Sequence, residues 1–511
     1  MQETFGDFFQ YLVYQENRPL IFTQAVFWIF FGGVILVYQF IYRQNNIRNL
    51  FLMLFSMYFY YLSSGYYFVL LIFSTLVDYY LGNAIYNSED QSKRKLYVTL
   101  SVIINLTVLG YFKYAYFFTD TFNTVFDTSL ETNNILALSL NKLLGLGIDA
   151  SRIFLPVGIS FYTFQTISYS VDIYRRRLEP VKNIFDFAFF VSFFPQLVAG
   201  PIVRATDFIP QIYQKYHLSK EEFGRGTFLI ISGLIKKIFI SDFISVNYVD
   251  RIFGNPDGFT GFENLMAVYG YSLQIYCDFS GYTDIAIGIA LILGYRLPLN
   301  FNSPYKSINI TDFWRRWHIS LSSWLRDYLY ISLGGNRKGK GRTYINLMLT
   351  MLLGGLWHGA HLRFIVWGAL HGIALAFHKM WMEIFKSKVS DEDESFVSKL
   401  ISGIITFHFV AFCWIFFRAD TFELAGKVIS QIAQSFHPEV IYDILVAYKN
   451  VFMIMLFGYI LHWLPSSWKN FGAEVFVKTP DFAKATIIFI VIMVLFQVKS
   501  SELQPFIYFQ F

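Results

Sequence analysis

The fold is decided by the stretch 344–381, YINLMLTMLLGGLWHGAHLRFIVWGALHGIALAFHKMW. It holds Asn346, His358, His361 and His371 among leucine, isoleucine, tryptophan and glycine, and Arg363 is its only fully charged residue before Lys379. An ionisable side chain at membrane depth is costly and is retained where it serves a site or a water-filled path. Gly354-Gly355 and Gly359-Ala360 bracket Leu356-Trp357-His358. Small residues there let the backbone break or a neighbour approach closely. The pattern predicts two apolar helices that meet near His358.

The rest of the chain has the same character. Of 511 residues, 55% are hydrophobic and only 15% charged, whereas soluble domains carry roughly a quarter charged residues. No long polar half could house a soluble domain, so the expectation is one polytopic membrane domain over 1–511, all-α, with 134–381 as its central part. The formal charge is +5. The basic residues cluster between apolar spans, a pattern of membrane topology rather than nucleic-acid binding. Cys277 and Cys413 sit in apolar surroundings, with neither metal spacing nor a disulfide framework. The opening stretch has no basic region before an apolar core, which argues against a cleaved signal peptide. Phe8, Phe9, Leu12 and Val13 suggest an interfacial amphipathic turn.

Apolar spans are expected at about 21–42, 50–62, 66–86, 96–118, 184–202, 227–248, 263–276, 284–297, 398–417, 451–465 and 483–498, with a broken or re-entrant segment over 134–174. Counting broken ones, the total is roughly eleven to thirteen helices around a central tunnel. Basic loops favour the cytoplasmic side, which places 87–95, 175–182 and 337–342 inside. Lys236 and Lys237 are expected to snorkel from the ends of their span. Stretches 204–226, 418–450 and 466–482 read as loops, and 382–397 is charged, with four acidic residues at 391–394. Trp314, Trp317, Leu321, Trp324 and Tyr328 recur every three or four residues, as on one face of an amphipathic helix. The Gly334–Arg342 stretch reads as a flexible basic loop.

The segments DFWRRWHISLSSWLRDYLYISLGGNRKGKGRTYINL (312–347) and LGGLWHGAH (353–361) resemble the membrane-bound O-acyltransferase family, in particular its alginate O-acetyltransferase branch. The resemblance runs from about Phe154 to Gly372, with a family-like ending at Arg418. It implies that His358, in WHG, is the active-site histidine and that His318, in WRRWH, is a second functional histidine. By its chemistry an imidazole at 358 can take the proton of an attacking hydroxyl. His318 has two readings: it orients a substrate or bonds the acyl oxygen, or it anchors the amphipathic helix.

Other residues are weighed by chemistry. A thioester donor such as acetyl-CoA carries phosphate, which suits the arginine fork. Arg315 and Arg316 are the donor-binding candidates, with Trp317, Asn346 and Trp357 beside them. Arg326 fits either a donor or lipid phosphates. Asp278 and Asp284 flank Gly281, which argues for a broken element, and salt bridges to arginines are their structural explanation. Gln196 and Arg204 lie in PQLVAGPIVR (195–204), where Pro and Gly shape a tunnel wall. No Asp, Glu or Cys completes a metal site with His358 and His361, and His371 reads as packing between helices. No tightly bound cofactor or metal is expected.

The implied activity moves an acyl group, acetyl foremost, from a cytoplasmic acyl-thioester or acyl carrier toward an exported polysaccharide or an extracytoplasmic partner transferase. The setting is the bacterial cytoplasmic membrane, with membrane lipid around the chain. D-alanyl transfer to a cell-envelope polymer is the alternative within this chemistry. A transporter is the alternative outside it, because broken helices and buried ionisable groups suit one equally well.

Overall fold

The computed structural model describes residues 12–16, 18–385, 395–498 and 506–507. Phe8, Phe9 and the acidic run 391–394 lie outside these. Every regular element described is helical, as expected where no water can satisfy an open backbone.

The first layer comprises α1 (Ala25–Ile41), α2 (Asn45–Ser64), α3 (Phe68–Asn87) and α4 (Gln91–Phe126). Gly65 turns α2 into α3 at φ +58. The expected break within 134–174 is present. α5 (Ile135–Leu144) ends at a left-handed Gly145, and α6 (Ile159–Tyr174) restarts after a left-handed Gly158. A polar knot ties α3, α4 and α6 together. The buried Asp78 carboxylate accepts from Ser101, Asn105 and Ser170. Hydrogen bonds of this kind are what permit a carboxylate inside an apolar bundle.

α7 (Ile184–Ser192), α8 (Phe194–Ala199) and α9 (Ala205–Ile212) follow as short pieces. α10 (Lys220–Leu234) starts inside the expected loop 204–226, because Ser219 and Glu222 form a reciprocal cap. It continues as π-helix over Ile235–Asp242 and Ser245–Val249. After α11 (Asp250–Gly254) comes α12 (Gly261–Ile292).

α12 corrects two expectations. It runs unbroken through Asp278, Gly281 and Asp284, and Gly281 is a packing residue. A Cβ on Gly281 would meet Gly233 O at 2.8 Å, and one on Gly288 would meet Gly226 O at 2.5 Å. Glycines two turns apart on both helices thus form a close seam between α10 and α12. The carboxylates face lysines across this seam, not arginines. Lys237 pairs with Asp278 (2.5 Å) and Asp242 (2.6 Å), and Lys236 pairs with Asp284. Lys237 therefore does not snorkel; it is held in the interior by opposite charge, and the half-buried Lys236 is tied to Asp284.

α13 (Ile310–Arg316) and α14 (Ile319–Trp324), the latter extended by π-helix over Leu325–Tyr330, replace the single amphipathic helix expected from Trp314 to Tyr328. α15 (Lys340–His358) and α16 (Leu362–Phe385) form the hairpin predicted to meet near His358. The remainder is α17 (Phe396–Arg418), α18 (Phe422–Gln434), α19 (Ile441–Ala447), α20 (Lys449–Trp463), α21 (Ser466–Lys478) and α22 (Asp481–Val498). The stretches 418–450 and 466–482 are thus largely helical rather than loops.

Five helical stretches among the described residues are long and apolar enough to cross a membrane, or six if the pair bent by 88° at 438–463 counts as one span. Phe40, Phe489 and Phe496 point outward at 79%, 63% and 74% exposure, an apolar surface that lipid covers. The protein is an integral multi-pass membrane protein. The basic stretches 87–95 and 175–182 lie together, beside the turn at 331–338. Arg94 donates to Tyr174 O (2.6 Å), and Arg175 donates to Asp327 O (3.1 Å) and Ser332 Oγ (3.0 Å).

Candidate active site

Glycine shapes the hairpin. A Cβ on Gly355 would lie 2.2 Å from Phe364 O, and one on Gly368 would lie 2.3 Å from Met351 O. Only glycine lets α15 and α16 pack this closely. α15 stops at His358 because Gly359 is extended, and its bare Cα leaves room for the Phe364 ring. His361 lies beyond this break, so it does not share a helical face with His358. Among the described residues no three His, Cys, Asp or Glu side chains are grouped as a metal site would require.

The His358 side chain is buried among aromatic rings. Trp357, Trp367 and Phe417 stand edge-on to it at 5.0, 5.1 and 5.3 Å. It lines a cavity of about 480 Å³ together with Arg315, Ser322, Arg326, Thr350 and Trp367. A second cavity, about 50 Å³, is lined by Lys113, Pro156, Gly158, Ser160 and Phe161. Trp357 belongs to the wall of this smaller cavity, and its neighbour His358 to the wall of the larger one. The indole is held by stacking on Phe164 (5.3 Å), which itself stacks on Trp324 at 3.8 Å.

His318 sits at the junction of α13 and α14, fully buried, with φ +43. A left-handed backbone is strained for a side chain of this size and persists where the surroundings enforce it. Asn300 does so. Its Oδ1 accepts from Ser320 N (3.1 Å) and Ser320 Oγ (2.8 Å), and lies 3.1 Å from His318 Nδ1. A backbone N–H can only donate, so the Asn300 atom is the oxygen and Nδ1 of His318 carries the proton. In the neutral ring Nε2 then holds the lone pair. The His318 ring packs on Phe279 (4.6 Å) and lies 6.2 Å from Trp357.

The other candidates separate by position. Arg315 is exposed and lines the large cavity, without an ion pair or hydrogen bond among the described residues. Arg316 is engaged by both oxygens of Asp312, each at 2.9 Å. Trp317 is core, stacked on Phe313. Asn346 donates to Gly335 O (2.9 Å) and ties α15 to the preceding turn. Gln196 is buried against Phe190 O. Arg204 pairs with Asp327 at 2.7 Å. Burial works against the Asp327 charge, but the Arg326 and Arg204 guanidiniums outweigh it and hold this carboxyl below its usual range. His371 packs between Trp314 (5.1 Å) and Trp367 (4.8 Å).

Sequence reasoning passed over Asn300, Lys113 and Tyr114. Lys113 lies inside the apolar span expected at 96–118, and nothing local marks its contact with the end of α15.

The model of the membrane-bound O-acyltransferase family matches residues 8–417. The chain is 39% identical over 410 residues to a probable alginate O-acetylase AlgI of Pseudomonas syringae, covering 80% of this chain and 74% of the relative. It is 38% identical over 407 residues to a peptidoglycan O-acetyltransferase of Helicobacter pylori, covering 75% and 73%. A teichoic acid D-alanyltransferase of Bacillus subtilis is 30% identical over 289 residues, covering 52% of this chain and 69% of the relative. With four-fifths of its length matched in this way, the chain belongs to the membrane-bound O-acyltransferase family and is an O-acyltransferase of the membrane.

Proposed function

We propose that this protein transfers an acetyl group from a cytoplasmic thioester, acetyl-CoA or an acyl carrier, to an extracytoplasmic acceptor, and that His358 is the general base. The position of His358 carries the proposal: it lines the large cavity, while adjacent Trp357 lines the small one. The donor occupies the large cavity on the side of the basic loops, with its phosphate near Arg315. The acceptor hydroxyl arrives from the other side. Its oxygen attacks the thioester carbon as His358 takes its proton. The C–S bond then breaks, and the thiolate leaves and recovers that proton. His318, with Nε2 as acceptor, orients the hydroxyl. The core of this chemistry is 134–381, set in the bacterial cytoplasmic membrane.

Acetyl is favoured because the long alignments are with proteins named as O-acetyl transferases. The acceptor is a partner transferase outside the membrane or an exported polysaccharide. Reconstituted His358→Ala protein, assayed for transfer with donor binding measured in parallel, is the test. General base catalysis is commonly worth about 10²–10⁴-fold in rate, so a loss of that order is expected while donor still binds. Near-wild-type turnover would end this mechanism and make His318 the next candidate.

A further inference from the structure

We propose that Lys113 is a positioning residue of the transfer site: its ammonium caps the C-terminus of α15 and so fixes the backbone from which His358 projects. This rests on the assignment of His358 as the general base and adds to it a residue from a distant helix.

The end of α15 is unusual. A helix leaves its last carbonyls without partners, and in an apolar interior each one left unpaired is costly. At Gly359 the chain turns extended, so the following residues do not wrap back over that end. Two consecutive side chains of α4 meet the carbonyls instead. Tyr114 donates to Leu356 O at 2.8 Å. Lys113 Nζ donates to Trp357 O at 2.6 Å and to His358 O at 3.1 Å.

Charge explains why a lysine stands there. It lies within an apolar helix and pairs with no carboxylate among the described residues. A cation in such a place needs compensation, and the negative end of a helix dipole supplies it. The same ammonium lies 5.6 Å from the centre of the Trp357 ring and lines the small cavity. Lys113 therefore holds at once the helix end, the tryptophan in the wall of the small cavity and the backbone of the base. Without it the last turn of α15 loosens and the imidazole shifts. A displacement of about 1 Å at a reacting group can cost on the order of 100-fold in rate.

The test uses the full-length protein in liposomes, with acetyl-CoA as donor probe and the variants Lys113→Met, Lys113→Arg, Tyr114→Phe, His358→Ala and Lys113→Met/His358→Ala. Lys113→Met keeps the length of the stem but not its charge. It should lower kcat by roughly 10- to 100-fold with donor KM and donor binding within about twofold of wild type. Lys113→Arg should restore most of the rate, since it keeps charge and donors. The double variant should be no slower than His358→Ala alone, because Lys113 acts through His358. Unchanged kcat in Lys113→Met, or a full extra loss in the double variant, overturns the proposal. If Lys113→Met does not fold, Tyr114→Phe, which removes one neutral bond from the same helix end, together with Lys113→Arg decides: wild-type kcat in the first combined with no recovery in the second overturns it. A fast His358→Ala sinks the general-base assignment instead. A slow His358→Ala beside a fast Lys113→Met sinks only the role of Lys113.

Discussion

Two adjacent arginines of α13 look equivalent as residue types, yet their surroundings differ. Phosphate recognition needs a guanidinium fork that is not already engaged. Arg316 is spent on Asp312, whereas Arg315 faces the large cavity without a partner among the described residues. Arg315→Ala should therefore raise the donor KM by about tenfold, in line with about 1.5 kcal/mol for a charge-assisted hydrogen bond. Arg316→Ala should change it by less than about twofold. Steady-state kinetics at varied donor concentration reads the difference, and the reverse order would remove Arg315 from the donor site. Lysine at 315 should rescue only in part, because it brings charge without the fork. The motif marks both arginines, but only the structure shows which one is engaged.

Among elements, the α15–α16 hairpin makes the sharpest prediction. At Gly355 an added methyl meets a backbone carbonyl at 2.2 Å, which cannot move without separating the helices. At Gly354 it meets only Leu325 Cδ1, at 3.2 Å. Overpacking commonly costs about 1–3 kcal/mol, and Gly355→Ala belongs at the upper end. It should lower the melting temperature in detergent and reduce turnover, while Gly354→Ala should be mild on both counts. Equal melting of the two variants would show that the hairpin is not pinned at Gly355. The seam between α10 and α12 follows the same physics. There Gly281 reads as a breaker from sequence, because glycine's low helix propensity is a local property. The value of its missing Cβ shows only against Gly233.

For the whole molecule the prediction is orientation. The bonds from Arg94 to Tyr174 O and from Arg175 to Asp327 O and Ser332 Oγ bring 87–95 and 175–182 together, beside the turn that leads into 337–342. By the charge rule their side is cytoplasmic. Single cysteines placed in 87–95, 175–182 and 337–342, in a protein lacking Cys277 and Cys413, should resist an impermeant thiol reagent in intact cells and react in inverted vesicles. Labelling of 337–342 in intact cells would reverse the orientation, and with it the sides assigned to donor and acceptor.

Much was legible in the chain alone. Apolar composition dictated helices in a membrane, because lipid leaves the backbone no other partners. The glycine pairs around Leu356-Trp357-His358 announced the hairpin, and the WRRWH and WHG stretches pointed to the family. What periodicity misread was whatever depends on a distant neighbour. The Trp317–His318 break stays hidden behind a regular aromatic repeat, because it is enforced by Asn300, a side chain outside that repeat. Lys236 and Lys237 read as cations at the end of a span until Asp284 and Asp278 are seen across the seam. Lys113 reads as a stray charge until the end of α15, 245 residues further on, is placed against it. Hydrophobic pattern reports how deeply a residue is buried. Which polar group it meets there is decided only when the helices pack.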